Sequence, residues 1–115
     1  MNPRDADVRI TVLTVPDCPN APVMRERIAA ALAGRAVPVD WVEVADAEEA
    51  ALRGMNGSPT VLVDGSDPFA HEDLRSSLSC RLYHHGDGTT DGAPSVTELR
   101  RALAASGLAE LHGEE

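Results

Sequence analysis

The residue with the clearest chemical potential is Cys18, which stands in Pro16-Asp17-Cys18-Pro19-Asn20-Ala21-Pro22. The segment before it, Val8 to Val15, alternates and is rich in β-branched side chains, so it reads as a strand. The segment after it, Val23 to Leu32, repeats its apolar residues at helical spacing (24, 28, 31, 32). Cys18 therefore falls where a strand gives way to a helix, with prolines forcing a sharp turn between them. A helix N-terminus presents unpaired N–H groups and partial positive charge, which stabilise a thiolate, the nucleophilic form of cysteine. Asp17 acts in the opposite sense, because a neighbouring carboxylate disfavours a second negative charge. The plain alternative for Cys18 is a small buried hydrophobe.

The remaining candidates are weaker. Cys80 is the only other cysteine, and in a reducing compartment such a distant pair reads as two free thiols. Two cysteines do not complete a four-ligand zinc site, and no Cys-x-x-Cys or His-x-x-x-His spacing helps. No metal or other cofactor is expected. His84 and His85 suit proton transfer or metal assistance, or else sit in a solvated loop. Asp64 and Asp67 flank Gly65 and read as turn residues. Arg81 suits pairing with an acidic neighbour or holding the carboxylate of a glutathione-like thiol.

The elements that must position these residues follow from pattern. After the helix that Gly34 stops, Pro38 to Val44 alternates as a second strand. Strand, helix and strand at this spacing make a right-handed crossover with parallel strands. Asp46 caps a helix running to Arg53, ended by Gly54 to Gly57. Thr60 to Asp64 is a third strand, apolar enough for a central position. Residues 66–79 form a longer loop with a short helical stretch from Glu72 to Leu78. Cys80 to His84 then returns antiparallel to the third strand, and 86–94 is loop. Ser95 caps the last helix with Glu98 completing a capping box. The expectation is an α/β domain, βαβ-α-ββα, with a central four-stranded mixed sheet flanked by helices. This geometry puts Cys80 at the far end of the sheet from Cys18, as a buried structural thiol. Five strand residues span about 16 Å, whereas a disulfide needs Cα atoms within about 7 Å.

The 115 residues suit one domain, 1–115, with 1–7 and 108–115 frayed. The net charge is −9 and every basic residue is arginine, so a phosphate backbone is repelled and nucleic acid is not an expected partner. No apolar run approaches the roughly 18 residues of a membrane span, and residues 1–7 lack the apolar core of a signal peptide. A cytoplasmic protein without a membrane partner is expected. Oligomeric state is not readable.

In its order of elements, and in Val15-Pro16-Asp17-Cys18-Pro19-Asn20-Ala21 and Gly57-Ser58-Pro59-Thr60, the chain resembles the thioredoxin-like superfamily over nearly its whole length. That resemblance implies a cis peptide bond at Ser58-Pro59, packed beside Cys18, and a groove in which Ser58 and Thr60 bind substrate. Redox-active members carry a second cysteine three residues after the first, where this chain has Ala21. A narrower resemblance links Gly57 to Gly65, Asp67-Pro68-Phe69, Ser79 to Tyr83 and Ala93-Pro94-Ser95 to small bacterial thioredoxin-like proteins. Some of those are described as alkylmercury lyase-like, and some have selenoprotein relatives.

These implications point to a thiol-disulfide oxidoreductase acting through Cys18, with Asp17, Ala21 and Pro59 completing the site and Cys80 as a second thiol. Its partner would be a low-molecular-weight thiol or a protein disulfide. Cys18 either runs a monothiol cycle, or uses Cys80 as a distant resolving thiol, or has lost redox chemistry in a fold kept for binding. Soft-metal or organomercurial binding by thiolates is the reading from a different class.

Overall fold

Strand β1 (Ile10–Thr14) buries four of its five side chains, which fits a strand covered on both faces. The computed structural model describes residues 8–35, 37–70 and 75–107. Helix α1 (Ala21–Leu32) follows β1 and turns Met24, Ile28, Ala31 and Leu32 into the core. It ends on Ala33, whose left-handed backbone (φ 52°) precedes Gly34. Strand β2 (Val39–Glu43) then pairs parallel to β1, with Ile10 opposite Val39 and Thr14 opposite Glu43. Helix α2 (Ala47–Arg53) is capped by Asp46, which accepts from the Glu49 amide at 2.7 Å.

Two strands flank Pro59. The short β3 (Asn56–Ser58) precedes it, and β4 (Thr60–Val63) follows and runs antiparallel to β1. The sheet order is β2-β1-β4. Strand β5 (Ser77–Cys80) pairs parallel to β3, while β6 (Tyr83–His84) and β7 (Thr90–Asp91) form a separate hairpin. Helix α3 (Val96–Ala105) closes the described chain on the capping box of Ser95 and Glu98.

Alternation on β1 and β4 divides the core. Ile10, Val12, Val61 and Val63 face α1 and α3, where Met24, Ile28, Leu99 and Leu103 meet them. Leu13 and Leu62 face the opposite side, against Val44, Ala50 and Met55 around α2. Helices thus cover both faces of a small mixed sheet. No helix among the described residues is long and apolar enough to cross a membrane.

The structure departs from the sequence reading after residue 64. The central sheet has three strands, because the return strand expected at 80–84 does not pair with β4. Its first residue belongs to β5 beside β3, and Tyr83–His84 pairs with Thr90–Asp91 inside the expected loop. The helical stretch expected from Glu72 is corrected at Ser77 and Leu78, which are strand; 72–74 lie outside the described residues, as do both expected frayed ends.

Candidate functional site

Cys18 ends the turn that connects β1 to α1. Its amide donates to the Val15 carbonyl at 3.3 Å, and its own carbonyl accepts from the Ala21 amide at 3.2 Å. Asp17 supplies the sharp reversal with φ at +59° and stays exposed. Asn20 occupies the cap position without a side-chain cap bond, and Pro22 follows in the first turn, where a missing N–H costs nothing. Cys18 is 7% exposed. It lines an open cleft of about 510 Å³ together with Thr14, Asp17, Ala21, Arg25, Trp41 and Glu43. Arg25 stacks over the Trp41 ring with its guanidinium carbon 4.1 Å from the centroid, a planar cation held at the cleft wall.

On the other side of the turn stands the Ser58-Pro59 pair, whose peptide bond is cis. Ser58 is fully buried, and its hydroxyl accepts from the Val15 amide at 3.0 Å. Its backbone is taken up by β5, the Arg81 amide donating to the Ser58 carbonyl at 3.0 Å. Thr60 is also fully buried. It faces Leu13 across the β1–β4 ladder, and its hydroxyl donates to the Gly57 carbonyl at 2.6 Å. Both expected substrate-binding residues thus have their pairing positions filled from within the chain. Pro59 is buried, and its carbonyl accepts from the Tyr83 hydroxyl at 2.6 Å. Burial, partly opposed by Arg81, pushes the Tyr83 phenol well above its ordinary value, so it is a standing donor.

The sequence reading placed Cys80 wrongly. Cys80 is exposed and lies opposite Ser58 in the β3–β5 register, so it is neither buried nor at the far end of the sheet. Residues 80–84 do not pair with β4; Cys80 pairs with β3 instead, which brings it to the Pro59 end.

A buried polar cluster behind Pro59 was also unread. Arg81 and Asp67 pair at 2.6 Å with side chains only 4% and 5% exposed. Asp67 further accepts from Asn56 Nδ2 at 2.9 Å and from the Phe69 amide at 2.8 Å. Arg81 donates to the Phe69 carbonyl at 3.0 Å and stacks 4.4 Å from the Tyr83 ring centroid. Its guanidinium is therefore committed to the fold and does not serve a substrate carboxylate. Asp67 is more than a turn residue.

His85 has no solvated role either. Its Nδ1 lies 2.9 Å from Glu98 Oε1 and its Nε2 3.2 Å from Asp91 Oδ1, whereas His84 is exposed. The Glu98 hydrogen bond chiefly, with Asp91 assisting and burial opposing, raises the imidazole pKa. The Arg27 hydrogen bonds, at 2.7 and 3.0 Å, chiefly hold the Asp91 carboxyl far below the usual carboxylate range. A raised histidine pKa stabilises the fold fully below its unfolded value, near 6.5, and the contribution disappears as pH rises through the folded value. The depressed Asp91 contributes above the unfolded carboxylate value and is lost only in acid. Accordingly, the melting temperature should fall as pH rises above about 6.5, and this fall should be absent in His85→Gln; parallel profiles would assign the network no pH-linked role.

Among the described residues, no three or more His, Cys, Asp or Glu side chains group to hold a metal ion. Compared with known proteins, the chain matches no family model, no curated protein and no solved structure.

Proposed function

We infer that this chain is a thioredoxin-like thiol oxidoreductase in which the Cys18 thiolate attacks the disulfide of a low-molecular-weight thiol or a protein. The observation that carries the reading is the setting of Cys18: past the C-terminal end of β1, at the entrance of α1, on an open cleft, beside the turn that Ser58 pins. Reactive groups gather at this edge of open α/β sheets. The β1-α1-β2 crossover, the antiparallel β4 and the cis bond at Ser58-Pro59 support the fold assignment.

In the attack, a bond forms between Cys18 Sγ and one substrate sulfur, the substrate S–S bond breaks, and the second sulfur leaves as a thiolate. Solvent water reaching the open cleft protonates that leaving group, while Asp17 stands exposed on the rim. Ala21, in the position of the second cysteine of a Cys-x-x-Cys pair, supplies no thiol, so the mixed disulfide persists locally. Ser58 acts by holding the end of β1 through the Val15 amide, with Pro59 buried next to it in the chain. A cleft of this volume suits a small thiol, and Arg25 on Trp41 offers a fork for its carboxylate.

The test is thiol-disulfide exchange with glutathione disulfide, followed by thiol release and intact mass. Cys18→Ser should lower the rate at least about 100-fold and abolish the adduct, since a missing nucleophile is not replaced by its neighbours. An unchanged rate in Cys18→Ser removes the reading.

A further inference from the structure

The segment that leads into Cys18 and the strand that carries Cys80 both bond to Ser58. The Ser58 hydroxyl accepts from the Val15 amide at 3.0 Å, and the Val15 carbonyl accepts from the Cys18 amide at 3.3 Å. On the other side Cys80 is the register partner of Ser58, fixed by the 3.0 Å bond from the Arg81 amide to the Ser58 carbonyl. Neighbouring strands lie about 4.8 Å apart. The β3–β5 ladder is irregular, Ser77 to Cys80 spanning only Asn56 to Ser58, and it ends with Cys80 level with Ser58, whose hydroxyl holds the end of β1 that leads into the Cys18 turn. Cys80 is also exposed, so its thiol is accessible for exchange. Closing to the roughly 7 Å between Cα atoms that a disulfide needs takes a shift of the turn around the exposed Pro16 and Asp17.

We propose that Cys80 is the resolving thiol of the Cys18 site, so that the chain completes a two-cysteine cycle without a Cys-x-x-Cys motif. This rests on the nucleophilic role of Cys18 given above. After Cys18 has formed its mixed disulfide, the Cys80 thiolate attacks Cys18 Sγ. The Cys18–Cys80 bond forms, the bond to the substrate sulfur breaks, and the second half of the substrate leaves as a thiolate. One substrate disulfide is reduced to two thiols, the two protein thiols are oxidised to one disulfide, and their two protons pass to the released thiols. A dithiol reductant returns the protein to its starting state.

The experiment mixes reduced wild-type protein, Cys80→Ser and Cys18→Ser with glutathione disulfide, then alkylates free thiols and maps the products by mass spectrometry. The wild type should release two equivalents of glutathione per chain and yield a Cys18–Cys80 cross-linked peptide within a monomer. Cys80→Ser should release one equivalent and stop at an adduct on Cys18. A wild type that also stops at that adduct, with Cys80 still alkylated, overturns the proposal and leaves the reading of Cys18 intact. A cross-link found only between two chains overturns it equally. Absence of any Cys18 adduct in both the wild type and Cys80→Ser overturns both.

Discussion

Replacing Asp67 with alanine should destabilise the protein by about 3–5 kcal/mol, because it leaves a buried guanidinium without its counter-charge. The pair is shielded on all sides, with both side chains at most 5% exposed, so water cannot take over the role of the lost carboxylate. Asn56 Nδ2 and the Phe69 amide lose their acceptor in the same step. Arg81→Ala should cost a similar amount. Arg81→Lys should rescue little, since an ammonium lacks the planar fork that meets Asp67, the Phe69 carbonyl and the Tyr83 ring together. A double change, Asp67→Leu with Arg81→Met, should recover much of the loss, because an apolar pair removes the desolvation cost of both charges. Urea unfolding of the four proteins measures this. A loss under about 1 kcal/mol for Asp67→Ala would put the pair in the class of solvated surface bridges.

The second large effect is expected at Gly57, the middle residue of β3. Its φ is +111°, and a Cβ there would stand 2.9 Å from Arg81 Cβ and 3.1 Å from the Ser79 carbonyl oxygen. Gly57→Ala thus combines a backbone conformation that side chains resist, about 1–3 kcal/mol, with overpacking against a paired strand, about 1–3 kcal/mol. The neighbour cannot yield cheaply, since the nearest atoms belong to the base of Arg81 and to the β5 backbone. Gly65→Ala is the matched control: its φ is +85° but nothing lies within 4 Å of the added methyl, so only the backbone cost of about 1 kcal/mol remains. Equal losses at the two positions would show that the β3–β5 approach is looser than the contact distances imply. Because Gly57 sets the spacing that puts Cys80 opposite Ser58, its alanine variant should also slow release of the second glutathione equivalent.

The parts of the fold that were legible in the sequence are those whose signals are local. Alternation marked β1, β2 and β4, the Asp46 and Ser95 caps marked α2 and α3, and the prolines around Cys18 marked the turn where α1 begins. Ser58-Pro59 was found by its resemblance to a known turn. What was not legible depends on partners distant in sequence. Asn56-Gly57-Ser58 has the composition of a turn and becomes a strand only because β5 pairs with it. Cys80 carries no mark of which strand it faces, so assigning 80–84 to β4 moved the thiol to the wrong end. Arg81 and Asp67 are both residues usually found at surfaces, and nothing between them in the chain announces that they meet in the interior. His85 was hidden for the same reason, its two carboxylates arriving from β7 and α3.

Trp41 is the chain's only tryptophan, and it lies on the wall of the cleft that Cys18 shares, beneath the Arg25 guanidinium. All indole fluorescence of the protein therefore originates within one small region. Emission intensity and wavelength report on that region without a label and without background from a second indole elsewhere. A molecule entering the cleft displaces water from the ring or shifts the stacked cation, and either event alters the optical signal on the timescale of binding itself. The site thus carries its own spectroscopic probe, separable in time from the slower covalent exchange at sulfur.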